Sequence, residues 1–403
     1  MSKLHPKNFV RTWVEIDRRS LFFNLCKFQK LAGKASIMAV VKSNAYGHGL
    51  TLIAKQLTKS QITNHKLQKR LGFGVDSVTE ALRLRREGIR NPILVLGYTL
   101  SARLAEAAQN NITVTVSHFD ALENLARAKK RPQFHIKIDT GMHRQGFQEN
   151  DLPRLIRELQ EKRLMPEGVY SHLASAENKQ FSKNQIAAFT RAVETLRSAG
   201  IAPEFIHIAS TGGIMRYRLP FLNIARLGLG LYGYLPDRRR GVVRPAQMAR
   251  LANGRPVLTW KTIIGEVKHA KTGECVGYDM TERLKRDSTI AILPIGYWHG
   301  FDRGLSSIGE VLIHGKRCRV LGRVSMDMTA VDITDIDSGI SKSQFSRFAG
   351  RRAISKVKVG DEVVLIGQQG REFIGADEMA EKIGTTAYEI LTRINPLIKR
   401  IEV

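Results

Sequence analysis

The chain has 403 residues, 43% of them hydrophobic and 25% charged, which is typical of a globular protein large enough for two domains. The sequence contains no apolar stretch of membrane-spanning length, and its first residues lack the apolar core of a secretory signal. These features exclude a membrane protein and favour a cytoplasmic one.

The formal net charge is +27. Basic residues occur in scattered short runs, such as Arg238-Arg239-Arg240, and no zinc-finger or RNA-binding signature accompanies them. Solvated surface charge explains this pattern, with weak non-specific attraction to nucleic acid or anionic surfaces as the alternative. We therefore expect no specific nucleic-acid partner. Cys26, Cys275 and Cys318 form neither a disulfide framework nor a metal-ligand pair, and no metal site is expected.

The first part of the chain alternates short strand-like runs with helical patterns. The predicted strands are Ser36–Val41, Gly72–Val75, Ile93–Leu96, Thr113–Val116, Phe134–Ile138, Glu167–Ser171, Phe205–Ile208 and Asn223–Arg226. A helix is predicted from Ser77 to Glu87, opened by a capping box of Ser77 and Glu80. Eight such repeats are typical of a (β/α)8 TIM-type barrel, and a doubly wound open sheet fits nearly as well.

The polar residues at or just after the carboxyl ends of the strands favour the barrel, because catalytic groups of barrels lie at those ends. These residues are Lys42, Lys137, Asp139, Arg144, His172, Ser210, Thr211 and Arg226. Their cationic character suits an anionic ligand. The loops 210–213 and 228–230 follow the last two strands and offer hydroxyls and bare backbone amides for a phosphate.

From about Arg255 the pattern becomes mainly β. The predicted strands are Thr262–Val267, Thr289–Leu293, Glu310–Ile313, Arg319–Leu321 and Glu362–Ile366, followed by helical sequence from Asp377 to Arg393. We predict a barrel over residues 1–245 and a mainly β C-terminal domain over 246–403, with the boundary between Gly241 and Pro256. The Ser-rich stretch from Asp335 to Lys356 is predicted to be an exposed loop.

Lys42 follows the buried run 37–41 and precedes the turn-rich sequence SNAYGHG. If burial removes water from its ammonium, the neutral amine becomes a nucleophile suited to a carbonyl cofactor. A lysine that simply leaves the strand for solvent is the alternative.

The segment AVVKSNAYGHG resembles the cofactor-lysine motif of alanine racemases, which are fold-type III pyridoxal-phosphate enzymes. Further segments resemble that family in the same order: KIDTGMHRQGF, YSHLASAE, HIASTGG, ARLGLGLYG, GYDMT, PIGYWHG and GRVSMDM. Together they span both predicted domains. The resemblance implies an enzyme that racemises a small amino acid, uses pyridoxal 5'-phosphate and acts as a homodimer with shared active sites.

The resemblance also implies roles for residues of the barrel. Lys42 would carry the cofactor, and Arg226 would face its pyridine nitrogen. The residues implied at its phosphate are Tyr46, Ser210, Thr211, Gly228 and Leu229. An arginine stays protonated and gives the ring nitrogen no proton. The ring then withdraws electrons less strongly, which favours racemisation over side reactions.

Racemisation needs a base on each face of the substrate carbon. By resemblance these are Lys42 and Tyr278, the latter reaching the site from the partner subunit, with His172 between the tyrosine and Arg226. Arg144 would bind the substrate carboxylate, and Lys137 resembles a lysine that the family often carries as a carbamate. The residues implied to face the substrate from the other subunit are Tyr297, Met326 and Asp327.

The sequence departs from the family pattern at Trp298, His299, Ser325 and Pro396, which bear on the access channel and interface. Alanine specificity is therefore less firmly indicated than racemase chemistry. The alternatives are a racemase of another small amino acid such as serine, a fold-type III decarboxylase, and a non-enzymatic pyridoxal-phosphate-binding protein. Arg226 argues against the decarboxylase, and the β domain carrying Tyr278 argues against the binding protein.

Overall fold

The computed structural model describes residues 10–63, 71–235, 254–337 and 357–403. These residues form two compact units. The barrel unit runs from Arg19 to Arg255, and the β unit combines the described residues up to Arg18 with those from Pro256 onward. The basic run 238–240, the predicted boundary at 245 and most of the predicted loop 335–356 lie outside the described residues.

The barrel unit contains parallel strands alternating with helices. Its strands are β2 (Ser36–Val40), β3 (Leu71–Val75), β4 (Ile93–Val95), β5 (Val114–Val116), β6 (Phe134–Lys137), β7 (Gly168–Tyr170), β8 (Phe205–His207) and β9 (Ile224–Leu227). Its helices are α1 (Arg18–Ala32), α2 (Leu50–Thr63), α3 (Val78–Arg86), α4 (Leu104–Gln109), α5 (Phe119–Arg127), α6 (Leu152–Glu161), α7 (Lys179–Ser198) and α8 (Thr211–Arg216). Short 3-10 helices cover Ser101–Arg103, Glu149–Asp151 and Leu229–Tyr232.

Hydrogen bonds close these strands into a barrel. They pair in two parallel arcs, in the orders β4-β3-β2-β9 and β5-β6-β7-β8. Thr113 joins β4 to β5 by donating to Ile93 and accepting from Val95, and Arg226 N joins β9 to Ala209 O at 3.0 Å. All eight predicted strands are therefore confirmed, and closure excludes the open sheet.

Inside the barrel lie an apolar cluster and a polar layer. Met38, Leu94 and Ile224 form the buried apolar cluster, with Leu96 and Phe205 packed against it. Buried polar side chains line the interior next to it, and these include His135, Lys137, His207 and Arg226. A polar group buried without a partner costs free energy, so these side chains must bond to one another or to a ligand.

The β unit is built on one large, mostly antiparallel sheet. The strand order is β11-β14-β17-β16-β15-β18-β10-β1-β20, with β19 beside β18 and β12 paired with β13. The bounds are β1 (Thr12–Ile16), β10 (Leu258–Ile263), β11 (Glu266–Ala270), β12 (Cys275–Val276), β13 (Glu282–Arg283), β14 (Ser288–Leu293), β15 (Glu310–Ile313), β16 (Lys316–Leu321), β17 (Thr329–Asp332), β18 (Glu362–Gln369), β19 (Glu372–Ile374) and β20 (Lys399–Glu402). Its helical segments are Tyr278–Met280, Tyr297–His299, Arg303–Leu305, α9 (Thr334–Asp337), α10 (Ala376–Lys382) and α11 (Ala387–Arg393).

The structure corrects the amino-terminal part of the predicted barrel domain. Strand β1 pairs antiparallel with β10 and parallel with β20, so it belongs to the β unit. Its sequence TWVEI is buried at every position, which requires neighbours on both faces. Its paired strands lie more than 240 positions away in the sequence, so no local pattern reveals where this strand belongs.

Two predicted elements of the β unit are also corrected. The segment Thr262–Val267 is not one strand, because the chain leaves β10 after Ile263 and enters β11 at Glu266. The predicted helix from Asp377 to Arg393 is two helices with Gly384 between them, and this glycine has φ +72. A left-handed residue ends a helix, and glycine adopts that conformation at little cost.

No helix among the described residues has both the length and the apolar character needed to span a bilayer.

Candidate active site

Lys42 lies directly after Val41 at the carboxyl end of β2. Its side chain is 37% exposed, and its Nζ atom lies 3.5 Å from Oδ1 of Asp76, the residue that follows β3. The amine is therefore accessible and next to a carboxylate, which agrees with the alternative that the lysine leaves the strand for solvent. An accessible amine at the barrel mouth can bond to a carbonyl cofactor that enters there.

The chain makes a left-handed turn immediately after Lys42. Residues 43–46 have φ between 52 and 54, although none is glycine. Such a conformation costs roughly 1–2 kcal/mol per residue. The carboxylate of Glu80 stabilises the turn, because its two oxygens accept from Ser43 N at 2.7 Å and from Asp76 N at 2.8 Å. Asn44 Oδ1 accepts from Leu50 N at 3.0 Å.

The structure corrects the predicted capping box at Glu80. Ser77 Oγ does accept from Glu80 N, at 3.3 Å. The Glu80 carboxylate, however, accepts from Asp76 and Ser43 rather than completing the box at Ser77. Glu80 therefore ties the end of β3 to the turn after Lys42. Sequence reasoning missed this role, because it depends on two strands lying side by side.

The predicted phosphate residues lie at the ends of β8 and β9 with Tyr46. A β-carbon at Gly228 would lie 3.0 Å from the Tyr46 hydroxyl, so a side chain there would crowd that hydroxyl. Thr211 Oγ1 accepts from Gly230 N at 3.2 Å, and Ser210 directly precedes α8. Leu229, which follows Gly228, is buried and begins a 3-10 helix. Hydroxyls and bare backbone amides at one place fit a phosphate group.

Arg226 is buried in the barrel interior, with 3% of its surface exposed. Its Nη1 donates to His207 Nδ1 at 2.6 Å. Its Nη2 donates to the carbonyl oxygens of Ser171 at 2.6 Å and Ile208 at 3.1 Å, and to His172 Nδ1 at 3.0 Å. Burial lowers the pKa of Arg226 to about 10, so the guanidinium is still charged at neutral pH.

His172 is held neutral by its surroundings. Burial, together with the charges of Arg226 and Arg144, holds the pKa of His172 well below its ordinary value. Because its Nδ1 accepts from Arg226, its hydrogen lies on Nε2. His172 can therefore donate a hydrogen bond from Nε2.

Lys137 is buried and lies near several cations. Burial lowers its pKa to about 8, and the charges of Arg144 and Arg226 add to that effect. Its Nζ donates to Gln145 Oε1 at 3.2 Å and lies 5.5 Å from the ring centre of Tyr170. Gln145 had not been singled out from the sequence, although it directly follows Arg144.

Asp139 orders the loop that carries Arg144. Its Oδ1 accepts from the backbone nitrogens of Gly141, Met142 and His143 at 2.9, 2.9 and 3.1 Å. Gly146 has φ +135, and a β-carbon there would lie 2.6 Å from Asp139 N. The loop therefore needs both the carboxylate and the glycine to place Arg144 after β6.

The remaining predicted residues lie on neighbouring loops of the β unit. Tyr278 is 69% exposed on the turn after β12. Tyr297 N and Trp298 N donate to the carbonyl oxygens of Ser325 and Met326, both at 3.0 Å. Gly322 packs against the backbone of Val276, which connects the loop of Met326 and Asp327 to that of Tyr278.

The structure thus gathers the predicted site residues into one set on each unit. The barrel set comprises Lys42, Tyr46, Lys137, Arg144, His172, Ser210, Thr211, Arg226, Gly228 and Leu229. The β set comprises Tyr278, Tyr297, Met326 and Asp327. The individual roles assigned to these residues are predictions.

Comparison with known proteins identifies the family. The profile of the alanine racemase N-terminal domain matches residues 16–236, and that of the alanine racemase C-terminal domain matches residues 257–402. The alanine racemase of Carboxydothermus hydrogenoformans is 37% identical over 399 residues, covering 97% of this chain and 99% of that protein. Alanine racemase 2 of Caldanaerobacter subterraneus is 33% identical, covering 97% of this chain and 94% of that protein.

Solved structures agree with the sequence relatives. The alanine racemase of Bacillus anthracis with bound L-Ala-P superposes with a TM-score of 0.82 at 30% identity, covering 98% of this chain and 95% of that one. The alanine racemase of Clostridium difficile gives a TM-score of 0.83 at 31% identity, covering 98% and 96%.

The barrel with a lysine after its first strand, the mainly β second unit and the two matching domain profiles together place this chain in a class of pyridoxal-phosphate-dependent amino-acid racemases. Within that class, this chain belongs to the alanine racemase family.

Proposed function

We propose that this protein is a cytoplasmic alanine racemase that interconverts L- and D-alanine with pyridoxal 5'-phosphate and supplies D-alanine for peptidoglycan. The observation that carries the proposal is the barrel mouth itself. Lys42 lies at the end of the first barrel strand, and Arg226 is a buried cation in the barrel interior with His172 on its Nη2. The family membership of the whole chain supports the same reaction.

The barrel residues present fit the cofactor. Pyridoxal phosphate, when bound, supplies an electron-withdrawing ring that acidifies the α-hydrogen of an amino acid attached to it. Lys42 would carry the cofactor, and Arg226 would face the ring nitrogen. Tyr46, Ser210, Thr211, Gly228 and Leu229 would bind its phosphate. Because Arg226 stays charged, it would donate a hydrogen bond to the ring nitrogen without giving up a proton.

Two residues exchange the α-proton of the substrate. The Lys42 amine takes the proton from one face of the carbon, and the Tyr278 phenol delivers one to the other. Tyr278 belongs to the β unit and is 69% exposed, so a second copy of the chain can offer it to the barrel site. We therefore propose a homodimer with shared sites. His172 would act on this tyrosine through the hydrogen on Nε2.

The substrate carboxylate is bound by cationic residues. Arg144 offers a planar guanidinium that pairs with a carboxylate through two parallel hydrogen bonds. Carbamylated Lys137 would place an anion beside Arg144 and hold it in position. Tyr297, Met326 and Asp327 would close the site from the partner chain and limit the size of the substrate side chain.

A racemase of another small amino acid, such as serine, is the second candidate. Trp298 directly follows Tyr297 and is 59% exposed, at a position where the family more often has a small residue. A different side chain at the entrance to the site alters which substrates can enter. It leaves the two proton-transfer residues, Lys42 and Tyr278, in place.

The direct test is racemisation by the purified dimer against a panel of L-amino acids. Alanine should give the highest kcat/KM. A higher value for serine would support the second candidate, and no racemisation of any substrate would refute both. Lys42→Ala should abolish the visible absorbance of the bound cofactor, whereas Lys55→Ala, a surface control, should leave it intact.

Tyr278 is tested by a separate pair of variants. Tyr278→Phe should lower kcat for L-to-D conversion far more than it weakens cofactor binding, because the lost hydroxyl acts on the substrate carbon. Tyr388→Phe makes the same change at another tyrosine of the β unit and should leave both unchanged. If Tyr278→Phe lowered kcat and cofactor affinity equally, Tyr278 would not be acting as a base.

A further inference from the structure

A continuous chain of polar contacts runs from Arg226 through the barrel interior to a glutamate. Arg226 Nη1 lies 2.6 Å from His207 Nδ1, and His207 Nε2 lies 2.9 Å from His135 Nδ1. His135 Nε2 then lies 3.5 Å from Glu167 Oε2, which also accepts from Thr113 Oγ1 at 3.0 Å. Both imidazoles are buried, with 3% exposure or less. We call these four residues, Arg226, His207, His135 and Glu167, the relay.

The position of every hydrogen in the relay is determined. A guanidinium can only donate, so His207 Nδ1 must be an acceptor and the hydrogen of a neutral His207 must lie on Nε2. That hydrogen points at His135 Nδ1, which must therefore accept. The hydrogen of His135 then lies on Nε2 and faces the Glu167 carboxylate. A cation and an anion at opposite ends thus select a single tautomer of each histidine.

The surroundings keep both histidines neutral. Burial, reinforced by the charge of Arg226, holds the pKa of His207 well below its ordinary value. Burial also lowers the pKa of His135. The contact with His135 lowers the pKa of Glu167, so the carboxylate is ionised at neutral pH. Neutral imidazoles have one donor and one acceptor each, as the relay requires.

Packing holds the two rings in this arrangement. His207 stacks on Tyr170 with ring centres 4.7 Å apart and planes within 1°. The His135 ring fills the space beside Gly168, where a β-carbon would come within 2.5 Å of the ring. Gly168 directly follows Glu167, so the residue that makes room for the imidazole neighbours the residue whose carboxylate faces it.

We propose that Glu167 is a positioning residue for Arg226, acting through His135 and His207 to fix the hydrogens that hold the guanidinium in place. Glu167 precedes β7, and Arg226 lies near the carboxyl end of β9, so the relay crosses the barrel interior. The inference rests on the proposed role of Arg226 toward the cofactor ring. Without the carboxylate, His135 could carry its hydrogen on Nδ1. His207 would then present an N–H to the donor Arg226, and the guanidinium would move.

The first test needs no variant. The wild-type holoenzyme, labelled with ¹⁵N at histidine, should show neutral His135 and His207, both with hydrogen on Nε2. Resonances are assigned with His135→Gln and His207→Gln. A charged ring, or hydrogen on Nδ1 of either ring, would overturn the proposal. This result is independent of whether the enzyme racemises alanine.

The second test is Glu167→Gln, which keeps the shape and an acceptor for Thr113 but removes the charge and can present an amide N–H to His135. Its histidine spectrum should show a mixture of tautomers. Racemisation kcat should fall by about tenfold to a hundredfold, the range typical of partners that orient a site residue from behind, with a smaller change in KM. Glu204→Gln makes the same change at the residue before β8 and should preserve both spectrum and kcat.

Two further variants distinguish a positioning role of Glu167 from a general effect on the stability of the protein. Gly168→Ala pushes the His135 ring while leaving both charged residues intact, and should reproduce the loss of kcat. In a double-mutant cycle, Glu167→Gln should have little further effect on kcat in an Arg226→Lys background, because its target is already altered. Additive losses of kcat, or an unchanged kcat in Glu167→Gln, would overturn the proposal. If the wild-type protein racemises no amino acid, the proposed function fails. The tautomers of His135 and His207 still show whether the relay is arranged as proposed.

Discussion

At the residue scale, the reactivity of the Lys137 amine depends on its surroundings. Burial and the charges of Arg144 and Arg226 lower its pKa to about 8, so its amine is largely neutral above that pH. A neutral amine attacks carbon dioxide, whereas an ammonium does not. The anionic carbamate formed would replace a cation beside Arg144 and remove a repulsion.

We predict that Lys137 takes up labelled carbon from ¹³C-bicarbonate. The carbamate signal should grow as the pH rises through about 8, because deprotonation of the amine precedes the reaction. Lys137→Arg should abolish the signal. Lys261→Arg is the control, since Lys261 is paired with Glu15 and Glu362 at 3.1 and 2.9 Å and stays an ammonium. A signal that survives in Lys137→Arg would contradict the prediction.

Sequence reasoning identified the residue types of the site better than their environments. The motifs predicted which lysine, arginine and histidine lie at the carboxyl ends of barrel strands, and the structure has Lys42 after β2, His172 after β7 and Arg226 in β9. Asp76 beside Lys42, and the Glu80 carboxylate on Ser43, come from a neighbouring strand and helix, so no local pattern reveals them. The relay left only a weak signal in the sequence. Side chains alternate between the two faces of a strand, so His135 lies on the same face as Lys137, which was already a predicted site residue.

At the element scale, the left-handed turn after Lys42 is the costliest piece of backbone in the site. Its four residues have positive φ without a glycine among them, and the Glu80 carboxylate offsets part of that cost through Ser43 N and Asp76 N. Hydrogen bonds to a charged group contribute roughly 1.5–3 kcal/mol when they are well shielded. Because Glu80 is only partly buried, its contribution falls toward the low end.

We predict that Glu80→Ala weakens cofactor binding more than it weakens the fold. Without the carboxylate the turn relaxes, so Lys42 and Tyr46 lose their relative placement, and the free energy of unfolding falls by about 1–2 kcal/mol. Spectroscopic titration with pyridoxal phosphate and chemical denaturation measure the two effects. Glu87→Ala, at the other end of α3, should change neither. Wild-type cofactor affinity in Glu80→Ala would contradict this prediction.

Elements with strong local patterns were predicted well, and those defined by distant partners were not. The eight barrel strands carry apolar runs between turn residues, and all were found. Two predicted segments were too long, because their apolar content alone made them look continuous. Gly265 lies between β10 and β11, and Gly384 lies between α10 and α11. Strand β1 was missed because its partners β10 and β20 lie in the last part of the chain.

At the scale of the whole molecule, β1 makes the amino terminus part of the β unit. All three tryptophans of the chain, Trp13, Trp260 and Trp298, belong to that unit. Their fluorescence therefore reports unfolding of the β unit. Ile16, at the end of β1, is fully buried.

We predict that Ile16→Ala lowers the stability of the β unit by about 2–5 kcal/mol, as expected for a truncated core side chain. The tryptophan-detected denaturation midpoint should fall accordingly. Leu397→Ala, at a leucine that is 82% exposed, should leave it unchanged. An unchanged midpoint in Ile16→Ala would mean that the first strand does not support this unit.

The most direct measurement of the central claim, that two copies of the chain share each proton-transfer site, is complementation between inactive variants. Lys42→Ala and Tyr278→Phe are purified separately, mixed in equal amounts under subunit-exchange conditions and assayed for racemisation. Each mixed dimer then holds one intact site and one doubly altered site. The account predicts recovery of on the order of a quarter of wild-type activity, since half the dimers are mixed. A mixture no more active than its separate parents would contradict it.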